Sequence, residues 1–295
     1  MTELLALDLK AGVMHAVSLD GRSVRTVVDG LDRFPDGVVV DQLRGHIYWT
    51  NMGEPDPGAD PDTEPEFFTP NGSIERVDLD GGNRTTIVAP GAFTTGKQLT
   101  ADFEAGRLYW CDREGMAVLT CDLHGNDLHP IVVTGRDQRE VRDWCVGICV
   151  DMDRRLVYWS QKGAAKAGDG RIFRAPIELP PGADPADRPD IELLWQDLPE
   201  PIDLELSGPS HLVWTDRGRK PEGNALYAAT VQPEVGAPKV LSTGYREAIG
   251  LAGLGCSFYV SDLGGGIRLV DVASGTDTEL ARLGSPLTGL ALADL

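Results

Sequence analysis

Gly106-Arg107-Leu108-Tyr109-Trp110-Cys111-Asp112-Arg113-Glu114-Gly115 reads as a short strand, Leu108 to Cys111, that leaves a tight turn and runs into a polar loop. The phrase recurs. His46-Ile47-Tyr48-Trp49-Thr50-Asn51, Leu156-Val157-Tyr158-Trp159-Ser160-Gln161 and His211-Leu212-Val213-Trp214-Thr215-Asp216 repeat it, and Ser257-Phe258-Tyr259-Val260-Ser261-Asp262 is a weaker copy. The copies stand roughly 45 to 60 residues apart, the signature of an internally repeated all-β architecture.

Around each copy the chain parses into four strands. An apolar run such as Gly37-Val38-Val39-Val40-Asp41 comes first and the Tyr-Trp strand second. The third and fourth form a hairpin, as in Ile74 to Leu79, a turn at Asp80-Gly81-Gly82-Asn83, and Arg84 to Val88. Asp-Gly supplies the positive φ that a tight hairpin requires. The hairpin half occurs six times, beginning at Val13, Ile74, Val118, Ile172, Leu226 and Ile267. The first strand also occurs six times, the last being Leu287 to Leu292. That last first strand has no second strand after it, while Leu4 to Leu7 is a second strand with no first strand before it. Pairing the two would complete a sixth sheet and remove the open edges of the ring. The expectation is one domain over residues 1–295: a six-bladed β-propeller of four-stranded antiparallel blades, closed by its N- and C-terminal strands. In such a ring both faces of the second strand are covered, so Tyr48 and Trp49 should both lie between blades.

Composition narrows the partners. With 46 Asp plus Glu against 27 Lys plus Arg the net charge is −19, a field that repels nucleic acid backbones and anionic membrane surfaces. No run approaches the ~20 apolar residues that span a bilayer. Met1 to Leu5 lacks a basic segment followed by an apolar one, so no export signal and a cytoplasmic location are expected. The five cysteines, Cys111, Cys121, Cys145, Cys149 and Cys256, all fall in strand-like apolar runs without zinc-like spacing and should be free, small buried hydrophobes. Oligomeric state is not written in the sequence.

Loop lengths separate the two ends of the ring. Turns from first to second and from third to fourth strands are short, apart from the insert Pro180 to Pro189. Loops from second to third strands and between blades are longer: Glu54 to Asn71, Thr134 to Trp144, Asp216 to Asn224. A ligand should seat on that loop-rich end over the central channel. The second strands end there in Asn51, Asp112, Gln161, Asp216 and Asp262, residue types that commonly tie loops together through backbone N–H groups. Non-repeating residues are the better candidates for chemistry. Lys97, Arg113 and Lys162 are the expected catalytic donors; Asn51, Gln98, Glu114, Trp144, Arg217, Tyr245, Phe67 and Phe68 are the expected substrate contacts. Several donors and aromatics over an apolar channel suit a planar, carbonyl-rich small molecule. The five histidines, at positions 15, 46, 124, 129 and 211, fall in a strand or at turns away from that end, which leaves no Ser–His–Asp arrangement there.

The aromatic anchors resemble the YWTD propellers of lipoprotein receptors. Longer phrases carry a closer resemblance: Asn71 to Gly81, Asp112-Arg113-Glu114-Gly115-Met116, Gln161-Lys162-Gly163 with Gly170 to Ala175, Leu198 to Leu206, and Trp214-Thr215-Asp216-Arg217-Gly218. These are similar to intracellular fungal and actinobacterial propellers labelled 3-hydroxyacyl-CoA dehydrogenase-like, over roughly residues 35 to 230. Some fungal members resembling that group are hetero-Diels–Alderases. The dehydrogenase label has no support in the residues, since no GxGxxG follows a strand and opens a helix. The chain departs from the group at Arg219, where an acidic residue is usual, at Ala117, where a basic one is frequent, and in the acidic insert Pro55 to Pro65. The resemblance implies a small-molecule enzyme of specialised metabolism, a cyclase without a redox cofactor. The alternatives are a lactonase-like hydrolase with a divalent ion such as Ca²⁺ on the axis, although no matching Glu, Asn, Asn, Asp set is evident, and a propeller that binds a ligand or protein without catalysis.

Overall fold

The computed structural model describes residues 1–58, 65–219 and 222–295. Among them the chain forms six four-stranded antiparallel sheets and a single turn of 3₁₀-helix, Val141–Asp143. Each sheet is a blade. The strands nearest the axis are Pro35–Asp41, Gly96–Asp102, Cys145–Asp151, Pro201–Ser207, Ala248–Leu254 and Leu287–Asp294. The last pairs with Thr2–Asp8 in the register Leu4 opposite Leu292 and Ala6 opposite Leu290, so the two chain ends complete one blade as expected. Blades are numbered here in chain order from that closing blade, which is blade one. No helix among the described residues is long and apolar enough to cross a membrane.

Period-two alternation explains the repeated Tyr-Trp pair. Tyr48 faces Leu108 and Trp110 of the next blade, while Trp49 faces Leu5 and Met14 of the preceding one. Both rings are fully buried. An aromatic side chain removes ~150–250 Å² from water, about 4–6 kcal/mol of transfer free energy at ~25 cal/mol per Å². Each second strand thereby glues two seams at once.

Nearer the axis the seams are polar. The Thr50 hydroxyl accepts from Gly37 N at 2.9 Å within its blade and donates to Lys97 O at 2.6 Å in the next. Ser160, Thr215 and Ser261 repeat this bridge toward Ile202 O, Ile249 O and Thr288 O. Cys111 stands in the same place, with Sγ 3.4 Å from Gly147 O. At the closing blade, where Leu7 has no hydroxyl, Thr288 on the inner strand donates to Pro35 O instead. The inner strands approach so closely that a Cβ on Gly147 would lie 1.7 Å from Ile202 O, and one on Gly250 2.2 Å from Thr288 O. Glycine is required there for space rather than for φ.

One expectation needs correction. Cys111, Cys121, Cys145 and Cys149 are buried strand residues, but Cys256 is exposed in the turn before Ser257–Asp262. Its apolar sequence neighbours, Leu254 and Phe258, belong to the two strands that this turn joins. All five thiols are free.

Candidate functional site

Two rings of six residues line a cavity of about 220 Å³ at the loop-rich end of the channel. The lower ring is the second residue of each inner strand: Asp36, Lys97, Val146, Ile202, Ile249 and Thr288. The upper ring is the residue directly after each second strand: Leu9, Met52, Arg113, Lys162, Arg217 and Leu263. The strand ends therefore aim twelve side chains at one volume, and Phe34, Pro65 and Phe67 cover it. Phe67 comes from the long acidic loop. Its carbonyl accepts from Thr95 Oγ1 at 2.9 Å and its ring meets Phe34 edge-on at 5.5 Å, while Asp56 holds the following Phe68 N–H. Residues 59–64 of that acidic insert lie outside the described residues.

Charge is distributed unevenly around the rings. Arg113, Lys162 and Arg217 are successive members of the upper ring, on blades three, four and five; Leu263 and Leu9, on blades six and one, make the opposite side apolar. Lys97 Nζ contacts the Asp36 carboxylate and lies 3.4 Å from Met52 Sδ. Burial pulls the Lys97 pKa down and Asp36 opposes this; Arg113 and Arg217 push it further down. Arg113 pairs with Glu114 at 2.5 Å and stands over the rings of Trp144, at 5.2 Å, and Phe67, at 5.9 Å. Glu200 lies 3.9 Å from Lys162 Nζ and 3.8 Å from Arg217 Nε. All of these charged groups are buried or nearly so. A buried cation held by a carboxylate and by ring faces is preorganised, and low local dielectric strengthens its field.

The repeated polar ends of the second strands are structural, as their repetition implies. Asp112 accepts from Thr94 N, Thr95 N and Gly115 N at 2.7–3.1 Å, and Asp216 from Glu200 N and Gly218 N at 2.9 Å. Each carboxylate ties the loop entering its blade to the loop leaving the second strand, and so fixes the upper-ring residue beside it. Burial raises Asp112 to about 6 and Asp216 to about 7 against those bonds. Asn51 bonds Ser73 Oγ and the Trp49 indole, so it supports the loop and does not line the cavity.

Of the residues expected in the site, the structure brings Lys97, Arg113, Lys162, Arg217 and Phe67 to the cavity, with Glu114 and Trp144 directly behind Arg113. Gln98 lies one residue deeper, 3.3 Å from Asp36, and opens on the wider opposite half of the channel. Phe68 packs on Trp144 beneath Arg139. Tyr245 is not part of the site. Its ring is buried between blades five and six, with its hydroxyl donating to Ser242 Oγ at 2.9 Å. Sequence reasoning missed Asp36, Glu200, Met52, Phe34 and the two leucines. Aligning the six inner strands and reading their second column would have found Asp36.

Among the described residues no three His, Cys, Asp or Glu side chains converge to hold a metal ion. The donor set at the axis is dominated by Lys97, Arg113, Lys162 and Arg217, which would repel a divalent cation. Of the departures noted in the sequence, Ala117 is buried at the start of a third strand. Arg219 lies in a shallow depression that shares Arg217 and Leu263 with the cavity and adds Lys166 and Arg246.

No protein-family profile matches the chain. It is 41% identical, over 92% of its own length and 89% of the other, to a Pyricularia oryzae protein named low-density lipoprotein receptor-related protein 1. It is 35% identical to the 3-hydroxyacyl-CoA dehydrogenase-like protein LAM1 of Cochliobolus heterostrophus, over 88% of this chain but only 56% of that longer protein. Among solved structures, a chain of a nidogen/laminin complex superposes with a TM-score of 0.75 at 19% identity, covering 100% of this chain and 99% of that one. TolB from Acinetobacter baumannii gives 0.64 at 11% identity, covering 99% and 66%. The solved structures speak for the fold, and the two fungal sequences for kinship. The chain belongs to the family of YWTD-like six-bladed propellers that contains these two fungal proteins.

Proposed function

We propose that this protein is a small-molecule enzyme of specialised metabolism, a cyclase working without a redox cofactor, with its substrate in the axial cavity. The observation that carries the reading is the convergence of Lys97, Arg113, Lys162 and Arg217 on one apolar-walled volume in a protein of net charge −19. These cations, held among the described residues beside Asp36, Glu114 and Glu200, suit a ligand that carries a carboxylate or forms an enolate. The depression around Lys166, Arg219 and Arg246, which also holds Glu247 at 3.9 Å from Lys166 Nζ, keeps an excess of positive charge among the described residues and would draw such an anion toward Arg217. Leu9, Ile249 and Leu263 would take its apolar part.

Size refines the reaction. The cavity, about 220 Å³, is smaller than the ~300–1,000 Å³ of common ligand pockets. That favours ring closure within one compact molecule, or of a reacting end with the remainder outside, over joining two bulky partners. The cations would stabilise negative charge that develops on a carbonyl oxygen, and the walls would hold the chain in a reactive pose. A thousandfold acceleration needs about 4 kcal/mol.

The test uses compact enolisable carboxylates carrying an alkene, each beside its neutral methyl ester. Cyclisation leaves mass unchanged and shifts chromatographic retention. Turnover of the acids, with Arg113→Met, Lys162→Met and Lys97→Met each lowering kcat by roughly 10²–10³, is the expected result. Lys97→Met and Arg113→Met each remove the cation paired with a buried carboxylate, whereas Lys162→Met leaves Glu200 with Arg217, so melting temperature is read in parallel and kcat is taken well below it. Equal binding of acids and esters, or unchanged turnover in all three variants, overturns the proposal. A cytoplasmic location is proposed with it, and fractionation of the producing cells tests that.

A further inference from the structure

The two lysines in the cavity differ from the two arginines in one respect: a lysine can give up its proton and become a nucleophile. Lys97 sits on the lower ring, where the other five positions are Asp36, Val146, Ile202, Ile249 and Thr288. It is thus the one amine at the floor, facing an apolar wall on blades four to six, with a carboxylate in contact on the neighbouring blade. Lys162, by contrast, belongs to the upper ring and shares Glu200 with Arg217.

We propose that Lys97 is a covalent catalyst: its Nζ condenses with the aldehyde or ketone carbonyl of a compact carboxylate held in the cavity, and Asp36 carries the protons. The proposal rests on the axial cavity being the binding site. Asp36 accepts one proton from the ammonium. The freed lone pair attacks the carbonyl carbon, a C–N bond forms, and the π electrons move to oxygen. Asp36 returns its proton to that oxygen, giving the carbinolamine. It then takes a second proton from nitrogen and delivers it to the hydroxyl, which departs as water while the nitrogen lone pair closes the C=N bond. Both hydrogens of that water come from Nζ, Asp36 ends as it began, and no oxidant or reductant is required. The product is a protonated imine.

Several features favour this step. Burial depresses the Lys97 pKa, as do the charges of Arg113 and Arg217, despite the Asp36 partner. A desolvated lysine beside other cations is a recognised way to obtain a neutral amine near neutral pH. Val146, Ile202 and Ile249 keep water from the imine. Arg113, Lys162 and Arg217 stand above, where they would hold the carboxylate and turn the carbonyl down to the floor. A protonated imine also withdraws electrons from an adjacent alkene, which activates it for the ring closure proposed above.

The experiment is reductive trapping on the full chain. The protein is incubated with 4-carboxybenzaldehyde and sodium cyanoborohydride, digested, and mapped by mass spectrometry, with and without excess benzoate. Benzoate carries the carboxylate but cannot condense. The expected result is a reduced adduct on Lys97 above that on any other lysine, suppressed by benzoate and lost in Lys97→Arg. Lys239→Arg, exposed at the start of the outer strand Lys239–Thr243, should leave it intact. Benzoate binding, read calorimetrically, with no adduct on Lys97 overturns the covalent role and leaves the cavity as a binding site. Neither binding nor adduct overturns both. An adduct on Lys97 that benzoate does not suppress shows reactivity without a substrate site and also counts against the proposal. The mapping is made on the unaltered protein, so it decides even if Lys97→Arg folds poorly.

Discussion

Replacing Thr215 by valine tests the account of the seams. Thr215 is fully buried; its hydroxyl accepts from Asp203 N at 3.0 Å and donates to Ile249 O at 2.6 Å across the seam between blades five and six. Valine keeps the shape and removes the oxygen, so one buried N–H and one buried C=O lose a partner together. Each costs ~1–3 kcal/mol when left unsatisfied, which sums to about 2–6 kcal/mol. At roughly 2–4 °C per kcal/mol for a large domain, the melting temperature should fall by at least about 4 °C. Equilibrium urea unfolding, with scanning calorimetry to check cooperativity, measures both quantities. Thr85→Val is the control, since that exposed hydroxyl bonds only its own turn at Asn83 O, and it should stay within ~0.5 kcal/mol of the parent. A Thr215→Val protein as stable as the control would refute the claim that hydroxyl bridges hold adjacent inner strands together.

Three further outcomes follow from the same geometry. Deleting Leu287 to Leu295 strips the inner strand from the closing blade and bares the edge of Thr2–Asp8; aggregation or a large loss in melting temperature is expected, and a monomer that melts like the parent would contradict the closure. Alkylation without reductant should label Cys256 quickly and the four buried thiols only on unfolding, which timed mass spectrometry resolves. Burial raises Asp216 from 3.8 to about 7, so between those values the native state keeps a proton that the unfolded chain has lost. The stability this group adds is therefore full below about pH 4 and is lost as pH rises to about 7. Asp216→Asn removes that titration, so melting temperature should decline less from pH 4 to pH 7 in the variant than in the parent; parallel profiles would show that Asp216 titrates normally.

The fold was legible because one strand carries two aromatic anchors and returns in almost every blade, and because the unmatched strands at the two ends could pair only with each other. Three of the site's cations, Arg113, Lys162 and Arg217, were legible for a related reason: each directly follows the polar end of such a strand, and that polar end fixes where it points. Lys97 stood out as a charge at the start of an apolar run. Tyr245 was misread because a loop position says nothing about side-chain direction; its neighbour Ser242 and the seam between blades five and six claim the ring. Trp144 and Phe68 lie on the loop face as expected, but they serve Arg113 and the covering loop from behind. Asp36 was passed over although the second column of the aligned inner strands marks it, and Glu200 is one of 46 acidic residues, set apart only by its contacts with Lys162 and Arg217. Cys256 was misplaced because a two-residue turn between apolar strands reads as one continuous run.

The two rings have a consequence for how such a protein could change its ligand. Each blade lends the cavity one side chain from its inner strand and one from the residue after its second strand; the hydroxyl bridges reach the inner-strand residues through their main-chain carbonyls, and of the twelve side chains only that of Thr288 is itself a bridge. The chemistry of the cavity is thus written in twelve places whose backbone is fixed by other residues. One blade can be rewritten while five stay as they are, and relatives with the same scaffold could differ in ligand through a handful of these places without re-engineering the ring.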